Sequence, residues 1–452
     1  NTDFIDNSAG VDCSDHEVNI KILLNAATIR GLKTTARDKL LVRMTDDVGA
    51  LVLRDNYLQS QALSVAELSA AARLSEHAHF IRSLELSQEL DRNVEHLPSI
   101  EEIAERQKQD AGLTRPELAV LLSYSKIALF NRLILTDVPE DAFLGRELER
   151  YFPPLLVAQY RPLLRRHRLR REIIATAITN SLVNRMGPTF ALRVQEDTGA
   201  DAGAIARAYT TAREAFEMRD LWQQIEALDT KIHAAIQYAW MSETTRLLRF
   251  VTYWLIQRPG SALSIDAQVA ILRPGLRQLR TVLPKVFNGL ERERYDEVRK
   301  QIRQQIPAAS KLVDELALLE TLASGPDIID VARESQQDLQ TAAEVYFRIG
   351  AALSLDWLRA QVVALRVDGR WQAIARNTLR EQLHSLQRAL CMQILAKAKR
   401  NDATNTVDQW LAERGHAVKH AQQTLQEMRA LPNADFATIS VATQSLRLLT
   451  EH

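Results

Sequence analysis

The sequence predicts an all-α protein, an array or bundle of long helices preceded by one short strand and a turn. Gly 15 and Pro 13 together make up about 6% of the 452 residues, about half the usual share of these two turn-forming residue types. No alternating strand pattern of useful length follows residue 14, whereas helix caps and helix stops recur along the rest of the chain. Few turns and many caps favour long helices.

Composition excludes several classes of partner. Lys+Arg 57 balance Asp+Glu 57, so the basic excess typical of nucleic-acid binders and of proteins that bind anionic membranes is missing. The densest basic run, 161–171, is interpreted as a solvated face paired with acidic neighbours. No apolar run approaches the roughly 18 residues of a membrane span. We expect neither a nucleic acid nor a membrane as partner.

The cysteines and histidines give no sign of a metal centre. Cys13 and Cys391 are the only two cysteines, which excludes a disulfide framework and a four-thiolate zinc site. A reducing, cytoplasmic setting is therefore expected. His77 and His79 would diverge by about 200° on a helix and could not chelate one ion. No metal site is predicted.

The first thirty residues predict a strand, a turn and a capped helix. Phe4-Ile5 is β-prone, and small residues from Ser8 to Gly10 predict a turn. Ser14 and Glu17 have the spacing of a capping box, which predicts a helix from there to about Arg30. Gly31 supplies its stop.

Caps, proline breaks and glycine stops predict the later element boundaries. In chain order they are an N-cap at 45–47, a helix start at Ser64, a capping box at 114–117 and breaks at 153–154, 187–188 and 259–260. Prolines at 274, 284 and 307 and the pair at 325–326 should divide the next third into shorter helices. The helix after Thr114 is apolar on several sides and should be buried centrally. A helix is also predicted from Arg171 to Met186, and a long uninterrupted one from Asp220 to Arg258.

The N-terminal stretch is the part richest in potential chemistry. A turn followed by a helix start presents backbone N–H groups and a positive helix end, which suit a carboxylate or a phosphate. Asn7 adds a carboxamide that can donate and accept, and Gly10 would allow a ligand close to the backbone. A well-capped helix without any ligand explains the same residues, and both interpretations stay open at this level.

The order of the residues adds a resemblance to a known family. Asp3, Asn7, Ser8, Ala9, Gly10, Val11, Ser14 and Glu17 form D-x-x-x-N-S-A-G-V-x-x-S-x-x-E. This string resembles the amino-acid dehydrogenase signature of glutamate dehydrogenases, in the version of the very large bacterial NAD-specific enzymes. The segments 112–132, 169–190 and 344–359 resemble the helical C-terminal portion of that family.

The resemblance implies a cofactor, a substrate and a role for three residues. NAD would be the cofactor, and L-glutamate would be oxidatively deaminated to 2-oxoglutarate and ammonium. Asn7 would lie beside the nicotinamide end of NAD, with Gly10 also in the cofactor site, and Ser14 would bind the side-chain carboxylate of the substrate. Because Ser14 is predicted at a helix N-terminus, its hydroxyl and the helix dipole could act on the same anion. Ala9 departs from the family's paired glycines.

The resemblance also implies a division of the chain. Residues 1–49 would end an NAD-binding catalytic domain, their strand and turn being a remnant of a Rossmann-type dehydrogenase domain. Residues 50–152 would form a helical subdomain and 153–452 a C-terminal helical domain. The upstream catalytic domain of the same chain is an expected partner, and a homo-oligomer is expected.

Other parts that hydride transfer needs are not found. The family uses a catalytic lysine and aspartate and a glycine-rich turn that holds the pyrophosphate. The paired glycines at 199–203 follow no strand and are interpreted as a helix stop and restart. We therefore expect a fragment of a longer protein that is inactive by itself. The alternative is a non-enzymatic helical scaffold for oligomerisation or regulation.

Overall fold

The computed structural model describes residues 1–258, 264–306, 311–366, 370–397, 403–431 and 434–450. No strand occurs in these ranges, so the prediction of an all-α protein is confirmed. The chain forms two compact units: unit 1 comprises Asn1–Ala212 and Thr252–Asp266, and unit 2 comprises Arg213–Val251 and Ala267–His452. The predicted stop at 259–260 and the predicted break at Pro307 lie outside the described residues.

Twelve α-helices precede residue 216 in the described chain. They are α1 (Asp3–Asp6), α2 (Ser8–Ile29), α3 (Thr34–Arg43), α4 (Thr45–Glu67), α5 (Leu74–Leu86), α6 (Ile100–Lys108), α7 (Arg115–Leu133), α8 (Arg146–Tyr151), α9 (Pro154–Leu164), α10 (Arg170–Met186), α11 (Phe190–Thr198) and α12 (Ala202–Ala215).

Further helices follow in the remaining described ranges. They are α13 (Met218–Glu226), α14 (Ala234–Gln257), α15 (Ile265–Val286), α16 (Gly289–Gln305), α17 (Lys311–Ala317), α18 (Leu319–Leu322), α19 (Gly325–Glu334), α20 (Leu339–Ala352), α21 (Leu355–Ala364), α22 (Arg370–Lys397), α23 (Ala403–Glu413), α24 (Gly415–Arg429) and α25 (Phe436–Arg447). Within the described ranges, none of the helices has the length and apolar character needed to cross a membrane.

The predicted N-terminal strand is wrong, because Phe4 and Ile5 lie in α1. A lone strand has no partner for its backbone groups, whereas a helical turn satisfies them locally, here with Asn7 N–H donating to Asp3 O at 2.7 Å. Ile5 is buried. The Asn56 side chain on α4 donates to the Ile5 carbonyl at 2.8 Å and to the Ser8 hydroxyl at 3.0 Å. The structure therefore has neither the predicted strand nor the predicted turn.

The predicted capping role of Ser14 is also wrong. Helix α2 begins at Ser8 and is continuous through Ser14, so Ser14 has helical neighbours on both sides and caps nothing. The helix starts earlier than predicted because the residues from Ser8 onward are compatible with a helix and α2 is stabilised by packing on α4. The predicted end is confirmed: α2 stops at Ile29, and Gly31 takes a positive φ of 104°.

Helix α7 is confirmed as the centre of unit 1. The N–H of Thr114 donates to the Glu117 carboxylate at 2.7 Å, as a capping box requires. Leu118, Leu121 and Leu133 are fully buried, and α7 packs against both α4 and α10. A helix with apolar residues on many sides needs neighbours on more than one side, and α7 has them.

Other predicted boundaries were partly wrong. Ser64 lies inside α4 and bonds back to the Ser60 carbonyl at 3.1 Å. Pro274 and Pro284 lie inside α15, whose buried leucines show that tertiary packing outweighs the missing N–H groups. The predicted helix from Asp220 to Arg258 is interrupted between α13 and α14. There Thr230 has a φ of 64°.

Several predicted signals are confirmed. The break at 153–154 separates α8 from α9, and 199–203 is the helix stop and restart between α11 and α12, with Gly199 at a φ of 73°. In the basic run, Arg171 pairs with Glu140 at 2.6 Å and Arg161 with Glu149 at 3.1 Å. The run therefore has acidic neighbours on its own unit.

Candidate functional site

One side of helix α2 carries the three residues that the resemblance singles out. Gly10 and Ser14 are four residues apart and lie on one face of α2, and Asn7 is the residue directly before the helix. All three are exposed. Val11 and Val18 lie on the same side and are 77% and 48% exposed. The structure therefore brings the three predicted site residues together on an open surface that includes apolar side chains.

The polar groups of this exposed face are available to a ligand. Asn7 precedes α2 but its side chain makes no capping hydrogen bond. No residue of the described chain bonds to the Asn7 carboxamide or to the Ser14 hydroxyl. A Cβ added at Gly10 would meet no atom of the described residues within 4 Å. A carboxamide, a hydroxyl and an open stretch of backbone are what a nicotinamide and a carboxylate could use.

The position of Ser14 changes its predicted chemistry. Because Ser14 lies inside α2, the free N–H groups at the helix start are not next to its hydroxyl. The predicted cooperation of that hydroxyl with the helix dipole is therefore wrong. Ser14 can still donate one hydrogen bond to a carboxylate.

The opposite side of α2 holds a cluster that we call the Asp12 cluster: Asp12, His16 and Asp55. Asp12 and His16 are four residues apart and lie on the same helical face, and Asp55 comes from α4. One ligand atom from each of the three residues lies within 4.8 Å of the other two. His16 is 1% exposed, and its Nε2 lies 3.9 Å from Asp12 Oδ1. Two carboxyl groups and an imidazole therefore converge between two packed helices.

Tyr151 fixes the His16 ring. The two rings are stacked, with centroids 4.4 Å apart and planes at 19°. The Tyr151 hydroxyl donates to Asp15 Oδ2 at 2.7 Å and accepts from the Asn19 side chain at 2.9 Å. The tyrosine is thus held at its own hydroxyl, and the imidazole has little freedom to turn away from the cluster.

Burial perturbs the protonation of every member of the Asp12 cluster. Burial, with the charge of Asp55 second, raises the pKa of Asp12 to about 7. Burial also raises the pKa of Asp55, against the opposing charge of Lys126, and lowers the pKa of His16. Burial lowers the pKa of Lys126 on α7 to about 8, although both aspartates oppose this. Its ammonium group donates to Gln59 Oε1 at 3.2 Å.

Sequence reasoning missed the Asp12 cluster. The spacing of Asp12 and His16 was visible once a helix was drawn through both, but the predicted helix began at Ser14. Asp55 and Lys126 come from other helices, and only the packing of α4 on α2 and of α7 on α4 brings them close. Nothing in a single sequence states that packing.

Comparison with known proteins places the chain in a family. Residues 110–448 match the profile described as "Glutamate dehydrogenase, C-terminal", and residues 1–66 match "Bacterial NAD-glutamate dehydrogenase, catalytic domain". Proteins named NAD-specific glutamate dehydrogenase match the whole chain, with 40% identity in Halomonas elongata, 41% in Pseudomonas aeruginosa and 33% in Mycobacterium tuberculosis. The chain spans 28% of the length of each of these relatives. By the match that covers most of its length, the chain belongs to the glutamate dehydrogenase C-terminal family.

Proposed function

We propose that this chain is the C-terminal portion of an NAD-specific glutamate dehydrogenase, which oxidatively deaminates L-glutamate to 2-oxoglutarate and ammonium and reduces NAD. One observation carries the proposal: within the dehydrogenase signature of residues 3–17, Asn7, Gly10 and Ser14 are all exposed, at the start of α2 and along one side of it. The match of residues 1–66 to a bacterial catalytic domain supports it.

Each of the three residues has a proposed task. The Asn7 carboxamide bonds at the nicotinamide end of NAD, and the open backbone at Gly10 allows the cofactor to approach. The Ser14 hydroxyl donates a charge-assisted hydrogen bond to the substrate's side-chain carboxylate. Asn7 and Ser14 are about 10 Å apart along the helix axis, so cofactor and substrate would meet α2 about two turns apart.

The rest of the exposed face is proposed to be covered by the catalytic domain. Val11 and Val18 flank the three site residues and are largely exposed in this chain, which favours an apolar partner surface. We propose that this surface belongs to the upstream catalytic domain, which supplies the catalytic lysine and the glycine-rich cofactor turn. The present chain would then be inactive by itself.

The coarser organisation stays a proposal as well. Residues 1–49 would complete the catalytic domain, 50–152 would form a helical subdomain and 153–452 the C-terminal helical domain. A cytoplasmic location and assembly into a homo-oligomer also stay predictions from the sequence.

The first experiment compares the complete protein with this chain. NADH formation from NAD and L-glutamate is followed by absorbance, and we expect it for the complete protein only. NADH formation by the present chain at the rate of the complete protein would contradict the division of labour. A complete, folded protein that forms no NADH would instead favour the helical scaffold.

The second experiment tests the exposed face in the complete enzyme. Ser14→Ala should lower kcat/KM for glutamate by about 10-fold to 150-fold, the equivalent of a charged hydrogen bond worth about 1.5–3 kcal/mol. The fold should be unaffected, because this hydroxyl has no described partner and alanine favours a helix. Asn7→Ala should mainly raise the KM for NAD.

Asn25→Ala is the matched control for both variants. Asn25 is exposed on the same side of α2, about five turns beyond Asn7, and should leave both kinetic constants unchanged. If Ser14→Ala behaved like Asn25→Ala, the proposed carboxylate contact would be wrong.

A further inference from the structure

We propose that Asp12, His16 and Asp55 bind one divalent transition-metal cation between helices α2 and α4. This site lies on the side of α2 opposite to Asn7, Gly10 and Ser14. It does not depend on the proposed dehydrogenase activity, because it rests on side chains that this chain supplies by itself.

The distances suit a metal better than a hydrogen-bonded pair. Nε2 of His16 and Oδ1 of Asp12 are 3.9 Å apart, too far for a hydrogen bond. Donors bound to a single ion at about 2.1 Å lie about 3–4 Å from one another. All three donor atoms lie within 4.8 Å of each other, so side-chain movements of about 1 Å would complete the set.

The histidine is a second, independent sign of a ligand. His16 is 1% exposed, yet among the residues that the structure describes neither of its ring nitrogens has a hydrogen-bond partner, and the buried Oδ2 of Asp12 also has none. Buried polar atoms in folded proteins nearly always have partners, and each exception costs stability. A cation between these atoms satisfies an imidazole nitrogen and a carboxylate at the same time.

The donor set selects the class of metal. Carboxylate oxygens alone would suit Mg²⁺ or Ca²⁺, while an imidazole adds affinity for Zn²⁺, Mn²⁺ or Fe²⁺. The i, i+4 spacing of Asp12 and His16 is the spacing by which one helix supplies two ligands to an ion. Three protein ligands leave at least one position for water or another ligand.

Lys126 is the competitor of the metal. Its ammonium group acts electrostatically on both aspartates, so in the metal-free protein it partly balances their negative charge. A cation would have to bind against this positive charge. Removing the ammonium should therefore strengthen metal binding, whereas removing a ligand should weaken it.

The test uses the full 452-residue chain, treated with a chelator and dialysed. Titration calorimetry with Zn²⁺ should show one equivalent bound, and Co²⁺ should give a visible absorption band typical of a nitrogen- and oxygen-ligated ion. Asp12→Asn, Asp55→Asn and His16→Gln should each weaken Zn²⁺ binding by about 100-fold or more, two powers of ten being about 2.8 kcal/mol.

Two further variants keep the test independent of folding. His77→Gln removes another buried histidine from unit 1 and should leave Zn²⁺ affinity unchanged. Lys126→Met should raise the affinity by about tenfold, and a gain of affinity cannot come from unfolding. The proposal is overturned if no Zn²⁺ or Co²⁺ binds, or if Asp55→Asn binds Zn²⁺ as tightly as the His77→Gln control does.

Discussion

Each of the two units buries a histidine next to an aspartate, but only one of the two histidines has its partners in place. In unit 2, His384 Nδ1 lies 3.4 Å from Asp327 Oδ2 and 3.4 Å from the Tyr346 hydroxyl. In the described part of unit 1, both ring nitrogens of His16 lack a hydrogen-bond partner. Burial lowers the pKa of both histidines. Burial and a neighbouring carboxylate therefore do not by themselves mark a site; a buried imidazole without a hydrogen-bond partner does.

The His384 cluster joins three helices around a hydrogen-bonded histidine. Asp327, Tyr346 and His384 come from α19, α20 and α22, which pack on one another, and all three side chains are buried. The Phe250 ring packs on His384 with centroids 4.6 Å apart. Buried polar groups that contact one another in this way hold three helices together, so we assign them a structural role.

The largest expected effect comes from replacing the aspartate of each cluster. Asp327→Ala removes the carboxylate next to the buried imidazole of His384 and should destabilise unit 2 by about 4 kcal/mol. Asp12→Ala, measured without metal, should cost far less, because Asp12 makes no hydrogen bond to His16 and its pKa is raised to about 7 by burial. Hydrogen exchange followed by mass spectrometry, on peptides of α20, α22 and α2, measures both losses.

A surface aspartate supplies the control for this pair. Asp408 pairs with Arg348 at 2.7 Å, and its side chain is 58% exposed. Asp408→Ala should therefore change exchange by less than about 1 kcal/mol. Equal losses for Asp327→Ala and Asp12→Ala would remove the distinction between a cluster whose histidine is hydrogen-bonded and one whose histidine is not.

A third buried histidine sharpens the comparison through pH. Burial, with the charge of Arg73 second, lowers the pKa of His77 to about 4. Between about pH 6.5 and pH 4 the unfolded chain binds a proton at this residue and the folded chain does not, so stability falls as the pH falls through this window. The shift of about 2.5 units corresponds to about 3 kcal/mol.

The measurement is the pH dependence of unfolding for the unchanged chain minus that of His77→Gln. Other titrating groups cancel in the difference, which should grow as the pH rises from about 4 to 6.5 and then stay level. A difference independent of pH would show that His77 has the same pKa in the folded and the unfolded chain. Its burial would then not make stability depend on pH.

The fold class and the family could be predicted because their signals are local. The capping box at Thr114 and the helix stop at Gly31 each depend on residues within one turn of the chain, and both are confirmed. Ser14 shows the limit: a serine followed by a glutamate three residues later also occurs inside a helix, and only the neighbouring turn decides. The prolines of α15 show the same limit, because burial of their neighbours outweighs the local penalty.

The candidate site also has a part that local sequence predicts and a part that only packing brings together. Asn7, Gly10 and Ser14 could be named in advance, since a contiguous signature carries them, and a helix places them on one face. The Asp12 cluster could not, because Asp55 and Lys126 meet α2 only through the packing of three helices. Long-range contacts of this kind are set by tertiary structure, and residue spacing does not encode them.

The smallest expected effect tests the tyrosines that accompany the two histidines. Tyr151→Phe removes the hydroxyl that bonds to Asp15 and Asn19 but keeps the ring that stacks on His16. It should therefore cost α2 about 1 kcal/mol and leave Zn²⁺ affinity unchanged, since the imidazole keeps its orientation. Tyr346→Phe should cost unit 2 slightly more, because Tyr346 is fully buried and its loss leaves His384 with one partner fewer. The same exchange experiment measures both costs. If Tyr151→Phe weakened Zn²⁺ binding as strongly as His16→Gln, the hydroxyl network rather than the ring stack would hold the imidazole in place.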